Sequence, residues 1–348
     1  MACNISRWTL LPLFRFQGHV FAQRRTISVD YIRQKSLAKD FRERTQTATS
    51  LLPHPPDTRQ ESARLTPLIR QMNEHAKRRD AAGAHELLGQ VEHPNLALCN
   101  AALNVCAKAC DFEVGWDVWA SMPEKDLVSY NTMISLCGSA KRMQRADELW
   151  EELLQAGLEP NIITYTSMIK SCGQCGDVDK ALHMFDSLKS ACSPDEFAFA
   201  AAMAVCARVG DYARTRQLFV EMIDAGIDPN HYHVNSMLTS CVDSCDSGTA
   251  QAIFEMMPAY KLQPRVEDYT TLLSCCRHDI KRCREIWDDM RRANLQPNKF
   301  TVEKMVWTER KYGSQENAAL LFKEFRTDHK YNQLTPRLRK YADELGDS

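Results

Sequence analysis

Residues 127–161 alternate apolar and polar positions with a helical period. Tyr130, Met133, Ile134 and Cys137 fall at i, i+3, i+4 and i+7, and Met143, Ala146, Leu149, Trp150, Leu153 and Leu154 make a second such stripe. The pattern predicts two short amphipathic helices, turned over 138–141 and stopped by Gly157 and Pro160. Neither helix is long enough to be stable alone, and one hairpin buries too little to form a core. The unit has to stack on others.

The flanking sequence supplies them. Units aligned on this one start at 96, 127, 162, 196, 231, 266 and 299. Three columns hold the register. The eleventh position is Cys106, Cys137, Cys172, Cys206, Cys241 and Cys276. The second helix carries an aromatic at Trp119, Trp150, Phe185, Phe219, Phe254, Trp287 and Phe322. Four residues before it stands a small or modest residue: Gly115, Ala146, Ala181, Thr215, Ala250, Cys283 and Ala318. Small residues let helices approach closely, and the aromatic fills the space between neighbouring pairs. Asp111, Asp177, Asp211 and Asp246 fall at the starts of second helices and are expected to be N-caps. The predicted fold is an all-α solenoid in which each pair touches only its neighbours.

Around the repeats the expected organisation is a leader at 1–45, a Pro/Ser/Thr-rich linker at 46–61 and a degenerate helical pair at 62–95. Six units follow at 96–126, 127–161, 162–195, 196–230, 231–265 and 266–298, then a degenerate capping repeat at 299–330 and a polar C-terminal helix or tail at 331–348.

Composition changes this picture at one end only. Residues 1–29 hold Arg7, Arg15, Arg24 and Arg25 among apolar residues and no Asp or Glu, as an organelle transit peptide requires. Arginine in preference to serine favours mitochondria, with a plastid as the alternative. The 14 cysteines sit mostly on apolar helix faces of a long chain with 44% hydrophobic residues, so neither a disulfide framework nor zinc is expected. The whole chain has a formal charge of −1, but 51–348 carry 35 basic and 42 acidic residues. That balance lacks the footprint of a general nucleic-acid binder, so any such reading must rest on placed residues.

Tetratricopeptide repeats share the small residue and the aromatic, but here the first helices open with YNT or a variant and the units close in Pro-Asn or Pro-Asp. VSYNTMIS, TYTSMIKSCGQCGDVDKALHMF and GLEPN resemble pentatricopeptide repeats over about 95–330, the first unit resembling the short variant. The resemblance implies a right-handed α-solenoid of helix-turn-helix repeats. It also implies sequence-selective binding of single-stranded RNA from an organelle, two or three side chains per unit addressing one base. The family's reading positions are the fifth and last of each unit. They fall on Asn100 with Asp126, Asn131 with Asn161, Thr166 with Asp195, Ala200 with Asn230, Asn235 with Arg265, and Thr270 with Asn298. Its preferences assign U, C (or U), G, none, none and A. A wedge between bases is implied at Val128, Ile163, Phe197 and Tyr232, whereas Glu267 departs from the pattern. Of the positions that would hold phosphate, only Lys108 and Arg208 are basic.

An enzyme is disfavoured. After Lys299 there is neither the HxE nor the PCxxC of the deaminase domain that some members of that family carry. Cys172 and Cys175 form a lone CxxC whose first member belongs to the core column, and His231 and His233 lack further ligands, so no metal or cofactor is expected. The expected partners are single-stranded RNA and a processing or editing enzyme acting in trans, with no membrane and no small-molecule substrate. The rival expectation is a protein–protein scaffold that does not read RNA.

Overall fold

A computed structural model describes residues 58–92, 94–244, 246–328 and 333–345. The expected leader, and the expected linker up to residue 57, lie outside them. The described residues form seventeen α-helices, one 3-10 turn at Met257–Tyr260 and no strand. The first pair is α1 (Thr58–Arg78) and α2 (Ala81–Gly89). The repeats then give α3 (Leu96–Ala109) with α4 (Phe112–Ser121), α5 (Leu127–Ser139) with α6 (Met143–Gln155), and α7 (Ile162–Cys175) with α8 (Val178–Ala191). They continue as α9 (Glu196–Arg208) with α10 (Tyr212–Asp224), α11 (His231–Ser240) with α12 (Ser247–Glu255), and α13 (Val266–Cys275) with α14 (Ile280–Arg292). The last are α15 (Lys299–Tyr312) with α16 (Gln315–Asp328), then α17 (Pro336–Glu344). Helix α1 begins inside the segment expected to be linker, because the helix-forming run TRQESARL follows directly once the proline cluster ends.

The chain divides into two compact units at residues 201 and 202, inside α9. In the first unit the first helices pack in sequence, α1 on α3, α3 on α5 and α5 on α7, while each second helix folds back on its own first helix. Cys106, Cys137 and Cys172 are fully buried, as are Ala146 and Ala181. At Gly115 an added Cβ would stand 2.4 Å from Leu136 Cδ2. The aromatic column joins neighbouring hairpins edge-on: Trp119 to Tyr130 at 4.9 Å, Trp150 to Tyr165 at 5.2 Å and Phe185 to Phe199 at 5.2 Å between ring centroids.

Two local expectations change. Gly138 does not turn the chain but lies in α5, where an added Cβ would meet Ser171 Cα of α7 at 2.6 Å. The turn falls on Ala140 and Lys141, with Lys141 at φ 57°. Leu154 is exposed rather than part of the apolar stripe. Gly157 does stop α6, at φ 72°.

In the second unit α11 packs on α13 and α13 on α15. Cys206, Cys241 and Cys276 continue the buried column, and Thr215, Ala250, Cys283 and Ala318 the small one. Thr335 caps α17, whose Leu338, Tyr341 and Ala342 are buried. Tyr341 meets Phe322 edge-on at 5.4 Å, covering the last hairpin.

Candidate nucleic-acid interface

Every helix start in the repeats needs acceptors for its first amide N–H groups. At the second helices Asp111, Asp177, Asp211 and Asp246 supply them, bonding the N–H three residues on. Asp80 and Asp279 do the same.

At the first helices the acceptor is the last residue of the preceding unit. Asp126 Oδ1 accepts from Ser129 N at 2.9 Å, Asn161 Oδ1 from Thr164 N at 3.0 Å, Asp195 Oδ1 from Ala198 N at 2.8 Å and Asn298 Oδ1 from Thr301 N at 3.0 Å. Asn230 caps α11 likewise. Sequence reasoning did not assign this second duty, although Asp126 with Ser129 and Asn161 with Thr164 carry the spacing of a capping box. Arg265 has no acceptor to offer. Its own N–H donates to Asp268 Oδ2 at 2.8 Å, and His231 Nδ1 lies 3.0 Å from that oxygen.

The fifth position stands one helical turn inside each first helix, and in the first repeat it reaches the cap of the next first helix. Asn100 Nδ2 donates to Asp126 Oδ1 at 3.1 Å. The other amide atom, Asn100 Oδ1, has no hydrogen-bond partner among the described residues, and neither have Asn131 Oδ1 and Thr166 Oγ1. Asn131 is 9% exposed and Thr166 6%. An unpartnered buried polar atom costs about 1–3 kcal/mol, and native proteins keep few of them. Three of them fall in one column of three successive hairpins. The second unit differs: Asn235 Oδ1 accepts from Thr271 Oγ1 at 2.8 Å, and Thr270 Oγ1 is engaged by Val266 O and Thr301 Oγ1, both at 2.7 Å. The protein's own bonds occupy those positions.

The second position of each unit faces outward. Val128, Ile163, Phe197 and Tyr232 are 56–76% exposed, and Phe300, which sequence reasoning passed over, joins them in the last hairpin. Lys108 and Arg208 are both exposed, in the last turns of α3 and α9.

Charge is divided between helix rows in the first unit. Helices α3, α5 and α7 carry Lys108 and Lys170 and no carboxylate, while α4, α6 and α8 carry eight carboxylates against three cations. In these three hairpins the excess of carboxylates therefore resides on the second helices. The carboxylates bordering the first-helix row are caps. Burial works against the Asp126 carboxylate, but the Ser129 N–H and hydroxyl and the Asn100 amide outweigh it and hold its pKa below the ordinary range.

The cysteine column is protonated at neutral pH. Burial pushes the thiols of Cys137 and Cys172 up to about 12, and those of Cys106, Cys206, Cys241 and Cys276 up to about 11. Among the described residues no group of His, Cys, Asp and Glu has the arrangement of a metal site, and no helix is long and apolar enough to cross a membrane.

Comparison with known proteins places matches on the same repeats. A model of the PPR repeat family matches 125–174, one of the PPR repeat matches 163–192 and one of the pentatricopeptide repeat domain matches 217–279. A chloroplastic pentatricopeptide repeat-containing protein of Arabidopsis thaliana is 28% identical over 113 residues, 32% of this chain and 23% of that protein. A second from the same plant is 22% identical over 234 residues, 64% of this chain and 28% of its own length. The chain thus spans about a quarter of either relative. Among solved structures, the pentatricopeptide repeat protein PPR10 in complex with an 18-nt psaJ RNA element has a TM-score of 0.67 at 16% identity, covering 88% of this chain and 43% of that one. The maize PPR10 crystal structure gives 0.58 at 17% identity over 88% and 42%. At such identity the likeness establishes the fold, an α-solenoid.

Proposed function

Because this chain belongs to the pentatricopeptide repeat family, we propose that it binds single-stranded RNA along the first helices of its first unit. The observation that carries this reading is the row of unpartnered buried acceptors at Asn100, Asn131 and Thr166. Asn100 is bonded to the cap residue Asp126, and Val128 and Ile163, exposed, precede Asn131 and Thr166 by one turn. A base edge brings hydrogen-bonding groups, and its faces bring apolar surface. Both needs of this row are met at once. Asn100 with Asp126 would take U, Asn131 with Asn161 C or U, and Thr166 with Asp195 G. Thr270 with Asn298, assigned to A, contributes less because its hydroxyl is already engaged.

The activity is non-catalytic. The protein would occlude a stretch of transcript or recruit an enzyme supplied in trans. Chloroplastic relatives and the acid-free, Arg-rich first residues support an organelle, and the leader's composition favours the mitochondrion.

Selection of a randomised single-stranded RNA pool on the full chain tests the reading. The expected outcome is enrichment of a motif holding U, then C or U, then G at consecutive positions. A pool no different from one passed over blank resin overturns it and favours the scaffold.

A further inference from the structure

Helix α15 was expected to cap the array, and an end cap should present a polar outer surface. Instead Phe300, Lys304, Trp307 and Lys311 recur at i, i+4, i+7 and i+11, and all four are exposed. Both acids of this helix have arginine partners: Glu303 lies 3.5 Å from Arg337, and Glu309 takes both Arg284 Nε and an Arg284 terminal nitrogen, at 2.8 and 2.9 Å. Lys304 has no ion pair among the described residues. The exposed stripe is aromatic and cationic.

Beside Trp307 opens a cleft of about 170 Å³ within the second unit. It is smaller than the roughly 300–1,000 Å³ of drug-sized ligand pockets, and its size suits a single base or phosphate. Arg277, Lys304 and Arg337 line it, with Asp243 and Glu303 as its carboxylates. Arg277 is held by main-chain acceptors, Val242 O and Ser274 O, so its orientation is fixed while its charge is not cancelled there. A π-face next to an oriented guanidinium and a lysine is the chemistry that holds one nucleotide, the base on the ring and the phosphate on the cations.

We infer that this cleft is a nucleotide-binding site for single-stranded RNA, with Trp307 as the stacking platform and Arg277 and Lys304 as the phosphate contacts, Arg337 standing opposite Glu303 at its edge. The inference rests on the RNA reading above but uses none of its base-reading residues. It turns the last hairpin from an end cap into a second anchor, indifferent to base identity.

Binding of a labelled 20-nucleotide random RNA pool to the full chain tests it, comparing wild type with Trp307→Leu, Trp307→Phe and Lys304→Gln. Trp307→Leu should weaken binding about 5- to 150-fold, the span of one base–aromatic stack, and Trp307→Phe should restore most of it. Lys304→Gln should reduce the slope of log affinity against log salt by about 0.7, one phosphate contact on a single strand. Leu and Phe variants that both bind like wild type, with an unchanged salt slope for Lys304→Gln, would overturn the site and leave the Asn100–Thr166 row standing. A wild-type chain that binds no RNA sinks both. If Trp307→Leu disturbs folding by circular dichroism, the exposed Lys304 variant decides alone.

Discussion

The amide of Asn100 and the carboxylate of Asp126, the fifth and last residues of one repeat, are joined by a 3.1 Å hydrogen bond. The same carboxylate oxygen accepts Ser129 N–H and holds the first turn of α5. A residue assigned to base recognition is therefore also part of the joint between hairpins, and the two duties can be separated by mutation.

Asp126→Ala should remove the cap and destabilise the protein by about 0.5–2 kcal/mol, whereas Asp126→Asn should cost little because Asn caps as well as Asp. Urea unfolding followed by circular dichroism checks both. Equal losses for Ala and Asn would show that the charge, and not the cap, is what α5 requires.

Asn100→Thr should move one base preference from U toward G with the rest of the selected motif intact. Sequencing of pools selected on both proteins reads this directly, and an unchanged motif removes Asn100 from the reading row.

Thr166→Val deletes a buried hydroxyl that has no partner. Stability should hold within about 0.5 kcal/mol or rise, since no bond is lost and a desolvated polar group disappears. RNA selected on the variant should lose discrimination at one position. Stability that drops while the motif stays the same would make Thr166 a structural residue.

Gly138→Ala tests the approach of α5 to α7. The added Cβ would meet backbone, Ser171 Cα at 2.6 Å. The helices must part, at a cost on the order of 1–3 kcal/mol despite alanine's better helix propensity. The Ser171 Oγ bond to Ile134 O is made across this same contact. A variant as stable as wild type would mean the two helices part freely.

Acid should loosen the array at its caps and ion pairs. The Thr249 hydroxyl and N–H depress the pKa of Asp246, and the bonds from Arg284 depress that of Glu309, as the donors around Asp126 do there. Each pKa lies below its unfolded value, so the stabilisation is complete above the unfolded pKa of about 4 and is lost as pH falls through the folded one. The urea midpoint should be level between about pH 5 and 7 and fall below about pH 4. A midpoint at pH 3.5 equal to that at pH 6 would contradict this.

The repeat period, the buried columns and the second-helix caps were legible because each recurs in register and needs only local chemistry. Gly138 was not. In sequence, Gly-Ser-Ala-Lys reads as a turn, and nothing local reveals that Ser171 presses on that helix face. The closure of Asn235 and Thr270 was equally hidden, since their partners Thr271 and Thr301 lie one hairpin on. The charge division between helix rows was present in the sequence but vanished in a whole-chain sum.

The last column of each repeat carries a constraint beyond recognition. A side chain there has to start a helix, so it must be short and offer an acceptor to an amide three residues on: Asp, Asn, Ser or Thr. If this column reads bases as proposed, the alphabet available for changing the reading is set by the joints between hairpins first. Arg265 is the exception that shows the rule, because Asp268 on the following helix accepts the N–H of Arg265. Retargeting by mutation has about four letters per joint to spell with, and a fifth requires rebuilding the joint from the other side.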